Sequence, residues 1–231
     1  MFAGHLAAGL VLKKMERRIN LGWLFFATLF HDFLLGIFVL MGLEQIHVPA
    51  NFAQRHYLTF TFPYSHGLAA SIFWSLLAFG ITYAVLPRWT SNERRQAGLA
   101  IALAVFSHFV LDWFVHIPEM PLLGENSPKI GLGLWNNLPL ALTLETTLVI
   151  VGFIFYLITA KPQTKLARYG FAELLILVTA LTISGQLFAD TPPPANGAAM
   201  SWIFQPFLIC GLAYWFDRKE NQRFLLLKGK E

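Results

Sequence analysis

Six apolar stretches dominate this sequence, at residues 21–43, 67–86, 97–117, 137–160, 170–189 and 200–216. A helix that crosses a bilayer needs about 20 mostly apolar residues. Each stretch is about that long, so the chain reads as all-α, a polytopic membrane helix bundle of about six spanning helices. Composition agrees: 13% of residues are charged and 56% hydrophobic, whereas a soluble domain carries about 25% charged residues. The length of 231 residues suits one bundle, a single transmembrane helical domain over 1–216. Residues 217–231 read as a solvated basic cytoplasmic tail, suited to lie along anionic lipid. The single cysteine, Cys210, excludes an internal disulfide and a cysteine-rich zinc site.

The first apolar run, 2–12, is too short to span. It is not a secretory signal, because Lys13, Lys14, Arg17 and Arg18 follow it rather than precede it. It carries His5 on an otherwise greasy segment, so a half-helix dipping into the bundle is expected rather than an interfacial helix. The remaining basic residues report topology. Of 17 lysines and arginines, 15 lie in segments 13–18, 88–95, 161–168 and the tail; only Arg55 and Lys129 lie in the alternate loops 44–66, 118–136 and 190–199. The basic side is therefore expected to be cytoplasmic, with both ends of the bundle inside. A pI near 9.3 then reflects topology and calls for no nucleic-acid partner; the partners expected are membrane lipids. The loops 44–65 and 118–136 are rich in aromatic residues and prolines and are expected to fold over the outer mouth.

Asp32, Asp112, Glu145 and Glu173, with His31, His108 and His116, fall inside the apolar stretches. A charge at the bilayer centre costs at least about 2.5–3.5 kcal/mol. No lysine or arginine lies within the same stretches to pair with these acids, so the compensating charge must come from a metal ion, protons or a polar substrate. Positions four apart share one helix face, which places His108, Asp112 and His116 on a single stripe. Imidazole and carboxylate suit zinc, and also manganese or iron. Depth counted from the basic edge puts Asp32 at about 17 Å, His108 about as deep, and His5 at about 10 Å. His66 follows Ser65, a candidate helix N-cap, and starts roughly 25–30 Å up. It needs a sunken loop or a tilted helix to join the others. Blander roles compete. His31 is expected to bond a backbone carbonyl, and His116 to sit at the interface. Glu145 is expected to be a protonated packing group or a support for the site, and Glu173 to be capped by Arg168.

The elements Gly4-His5, Asp32, Phe-Pro-Tyr-Ser65-His66-Gly and Ser107-His108-Phe-Val-Leu-Asp112 resemble a family of bacterial inner-membrane proteins described as membrane-bound metal-dependent hydrolases. The likeness runs on through Val115-His116-Ile-Pro-Glu-Met-Pro and Gly131-Leu-Gly-Leu-Trp135-Asn136 and covers about residues 1–145. It implies a metal site built from His5, Asp32, His66, His108 and Asp112, and a multi-pass protein of the bacterial inner membrane. Many members carry Pro-Asp where this chain has His31-Asp32, and Ser-His-Ser where it has Ser65-His66-Gly67.

Three functions are open on these residues. The leading one is a metal-dependent hydrolase acting on a lipid-linked or phosphoester substrate, with Asp112 or Glu145 as general base. His31, His116, Ser65 and Ser107 would orient the ligands, and zinc is the first choice of ion. The second is a small transporter or proton/divalent-cation permease using the same acids and histidines. The third is a membrane scaffold with structural metal. A homo-oligomer is compatible with all three.

Overall fold

The structure is a computed structural model and describes residues 1–228. Its helices are α1 (Ala3–Leu12), α2 (Leu21–Thr28), α3 (Phe30–Leu40), the short α4 (Phe52–Arg55), α5 (Leu68–Val85), α6 (Ser91–Val115), α7 (Leu138–Ala160), α8 (Phe171–Leu187) and α9 (Ala195–Lys228). Two small antiparallel hairpins lie in the loops opposite the basic end. One is β1 (Gln45–His47) with β2 (Thr59–Thr61), in the register Ile46 opposite Phe60; the other is β3 (Met120–Pro121) with β4 (Lys129–Ile130). The chain is thus an all-α bundle. Among the described residues five helices are long and apolar enough to cross a membrane, or six if α2 and α3 count as one bent span. Large apolar side chains such as Leu76, Ile81, Ile158, Ile176 and Leu181 stand exposed on the outer faces of α5, α7 and α8. Lipid is a compatible surrounding for such faces and water is not. The protein reads as a multi-pass membrane protein.

Side-chain caps explain three of the helix starts. Asn20 accepts the Gly22 N–H and opens α2. Thr90 and Glu93 form a reciprocal capping box at α6. Asn137 accepts from Leu140 N–H, with Pro139 in the first turn of α7. The first span breaks at Leu29, where α2 and α3 meet at 51°. Thr28 bonds back to the Phe25 carbonyl through its hydroxyl, a habit that bends helices. The Thr28 carbonyl is taken by the His108 Nδ1 atom instead of continuing the helical ladder.

Close approach of backbones holds the broken span. A Cβ on Gly22 would stand 2.6 Å from the carbonyl oxygen of Cys210, and one on Gly36 would stand 2.6 Å from that of Ala199. Only glycine lets both halves lie against α9. Helix α1 runs between α2, α6 and α7. Seven of its ten residues are buried, which makes it an inserted half-helix rather than a surface one. The packed interior has two parts. One, towards the basic end, gathers Leu6, Leu10, Leu24, Phe25 and Ala100. The other, towards the hairpins, gathers Phe60, Phe62, Phe109, Met120 and Trp135.

The expected tail differs from what is seen. Helix α9 continues past Phe216 without a break, and Asp217 and Glu220 are buried. Asp217 meets the buried Lys13 Nζ at 2.6 Å and accepts the Leu21 N–H, while Glu220 accepts the N–H groups of Gln163 and Thr164. Two acids among the basic residues thus tie the segment to the bundle. Residues 229–231 lie outside the described part.

Candidate metal centre

Helix lengths set the level of the site. Helix α5 has 18 residues and its antiparallel neighbour α6 has 25. They start from a shared turn at 86–90, so α5 stops seven residues, or about 10 Å, short of the far end of α6. His108 lies seven residues before Val115, the last residue of α6, at that level. His66, just before α5, meets it there: the two Nε2 atoms are 3.1 Å apart. The sunken position required of His66 comes from the shortness of α5, with the hairpins closing above it. Ser65 is not the N-cap; Gly67 is, and it offers no side chain.

Asp112 is the pivot. Its Oδ2 lies 3.1 Å from His108 Nε2, 3.5 Å from His66 Nε2 and 3.5 Å from His116 Nε2. Its Oδ1 lies 3.1 Å from His5 Nε2 and 3.1 Å from the Met1 amine nitrogen. Asp32 Oδ1 is 3.8 Å from His66 Nε2 and 3.7 Å from His108 Nε2. His5, His66, His108, Asp112 and His116 are buried; Asp32 is partly open. His5, Asp32 and His108 form one set of donors able to hold a metal ion, and His66, His108 and Asp112 a second. A tetrahedral ion bound at about 2.0–2.1 Å has ligand–ligand edges of about 3.3 Å. The second set has edges of 3.1, 3.1 and 3.5 Å.

Proton inventory gives the same result. His108 Nδ1 lies 2.7 Å from the Thr28 carbonyl, which only accepts, so Nδ1 carries the hydrogen. His116 Nδ1 lies 2.6 Å from Glu119 Oε1, and the other Glu119 oxygen takes the Phe60 N–H. In the neutral imidazoles both Nε2 atoms are then bare lone pairs directed at the Asp112 carboxylate. His5 adds a fully buried ring whose Nδ1 has no hydrogen-bond partner among the described residues and whose Nε2 faces the Asp112 carboxylate, stacked on His108 at 3.7 Å between centroids. Buried polar atoms are rarely left so. The Met1 ammonium donates to Asp112 Oδ1; Asp112 Oδ2 and the Nε2 atoms of His66 and His108 remain as acceptors facing one another, an arrangement that could hold a cation.

The remaining sequence candidates divide. His31 stacks on His108 and contacts the Ser71 hydroxyl at 3.0 Å, not a backbone carbonyl. Ser65 contacts His66 Nδ1 at 2.7 Å. Ser107 donates to the Ala104 carbonyl of its own helix and has no bond to the cluster. Glu145 accepts the Gly4 N–H at 3.0 Å and caps the start of α1, so the role of general base does not suit it. Two carboxylates that hold the site from the loops were missed, Glu44 and Glu119. Glu119 carries a readable signal, three residues after His116. Glu44 carries none beyond being the lone acid of its loop. It is buried against Tyr64 and Ser65, and burial pushes its carboxyl up to about 7, against the hydrogen bonds that favour its charged form.

A cavity of about 290 Å³ stands over the cluster, with Asp32, His66, Asp112 and His116 in its floor. Its walls include Phe60, Phe62, Trp135 and Trp202, and among the described residues no lysine or arginine lines it. His5 and His108 lie behind the floor. No protein-family profile, curated protein or solved structure matches this chain.

Proposed function

We propose that this chain is a membrane-embedded, metal-dependent hydrolase of a bacterial inner membrane, its basic loops in the cytoplasm and its cavity towards the outer leaflet. The observation that carries the reading is the convergence of bare imidazole Nε2 atoms and carboxylate oxygens, 3.1–3.5 Å apart, at and just behind the floor of a cavity. His66, His108 and Asp112 would hold the ion, with Asp32 and His5 completing its shell. Zinc suits the imidazole-rich set and its short edges best, ahead of manganese or iron. When bound, such an ion polarises a phosphoryl or acyl oxygen and acidifies water. His116, anchored at Nδ1 by Glu119, faces the same cavity and is suited to take up or return a proton at Nε2. It replaces Glu145 in that role. Aromatic walls above a polar floor fit an amphiphile whose scissile ester reaches the floor while its apolar part stays against Phe60, Phe62 and Trp202. A lipid-linked phosphoester is the first substrate class to assay.

Elemental analysis of detergent-purified protein tests the reading. Stoichiometric zinc, manganese or iron is expected in the wild type and its loss in Asp112→Ala. Equal metal content in the two, or none in either, rejects the proposal.

A further inference from the structure

Glu44 stands directly before β1 and is 2% exposed. A buried carboxylate needs donors, and three reach it. The Tyr64 and Ser65 N–H groups donate to Oε1 at 2.8 Å each, and the Ser65 hydroxyl lies 2.7 Å from Oε2. The same Ser65 oxygen is 2.7 Å from His66 Nδ1. A serine hydroxyl has one proton to give. The charged carboxylate can only accept, so that proton goes to Glu44. His66 Nδ1 must then carry the imidazole hydrogen and donate it to Ser65. Nε2 is left bare, and Nε2 is the atom that faces His108 and Asp112.

We infer that Glu44 is a positioning residue for the ion site, acting through Ser65 to hold His66 in the Nδ1–H form with Nε2 free to bind. The inference rests on the metal reading above and adds a residue that no motif includes. His108 and His116 have their tautomers set by a direct acceptor, the Thr28 carbonyl and Glu119. For His66 the same task passes through a hydroxyl, because the Glu44 carboxylate meets Ser65 and Ser65 meets the imidazole. Glu44 also holds the backbone of Tyr64 and Ser65, so one carboxylate orders the turn carrying His66 and sets the proton on its ring.

The test is zinc titration of detergent-purified, chelator-stripped protein, at a pH above the value of about 7 that burial gives Glu44. Glu44→Gln and Ser65→Ala are each expected to weaken zinc binding about 10–100-fold, the usual effect of removing a group that orients a metal-binding histidine. The double variant is expected to be no weaker than the weaker single one, because both cut one path, and Ser65→Thr is expected to restore affinity. Ser65→Ala leaves the two backbone bonds to Glu44 in place, so its loss does not reflect an unravelled turn. Imidazole nitrogen shifts measured by NMR on metal-free wild type should show His66 protonated at Nδ1, and Ser65→Ala should lose that preference. Wild-type affinity in both single variants overturns the inference and leaves the metal reading standing. So does a loss in Glu44→Gln with none in Ser65→Ala, which would give Glu44 a loop-ordering role alone. Failure of the wild type to bind zinc, manganese or iron overturns both.

Discussion

Asp112 illustrates how one side chain organises a site. Both its oxygens are used, Oδ2 towards three imidazoles and Oδ1 towards His5 and the Met1 amine. Glu145, also buried and carried on α7, which packs on α1, is separated from it in role by what it touches. Its bond to the Gly4 N–H satisfies one of the donors that every helix start leaves open. Replacing Glu145 with Ala should therefore cost about 1–3 kcal/mol, the usual penalty for an orphaned buried donor. Thermal unfolding in detergent would register the loss, and metal content should stay at the wild-type level. Metal lost without any change in stability would return Glu145 to the ion site. The sequence could show that both acids were costly to bury. It could not show that one faces imidazoles and the other an amide, since that depends on which neighbour each helix meets.

The decisive features at the level of elements are a break and a difference in length. The bend at Leu29 frees the Thr28 carbonyl for His108, and the shortness of α5 lowers His66 to the same level. The spans themselves were legible from apolar length. The bend was not, because the run 21–43 contains no proline, and Gly22 and Gly36 serve contact with α9 instead. Gly36 tests that contact. A methyl group there would meet the Ala199 carbonyl, a backbone atom that cannot turn aside. Gly36→Ala is expected to destabilise the protein by about 1–3 kcal/mol through overpacking, measured as a fall in melting temperature. An unchanged melting temperature would mean that α3 and α9 can separate freely. The hairpins were legible only as aromatic loops. Their strands are two or three residues long, too short for alternation to register.

The whole molecule closes differently at its two ends. The end bearing the hairpins gathers the histidines, aspartates and cavity. The basic end is locked by buried polar ties, chief among them Lys13 with Asp217, whose side chains are 1% and 0% exposed. Lys13→Met alone would leave Asp217 buried without its partner and should cost about 3–5 kcal/mol. Adding Asp217→Leu should recover part of that loss, and neither variant should change metal content. Unfolding curves of the three proteins provide the check. A double variant less stable than Lys13→Met would show that the pair is not the source of the penalty. Residues 217–220 looked like part of a solvated tail because basic side chains surround them. The structure shows that the two acids, Asp217 and Glu220, point inward.

The sequence by itself determined the class of fold and the chemical problem. Apolar runs of bilayer length admit little but spanning helices, and acids among them with no nearby lysine or arginine demand another cation. Ligand spacing along α6 was legible as well, because four residues make about one helical turn. Tertiary structure decided which of those groups converge. The convergence depends on the bend at Leu29, the relative lengths of α5 and α6, and two loop carboxylates that reach the histidines from outside their own helices. Local sequence sets helix length and face; the level and partner of each side chain arise only when separate helices pack together.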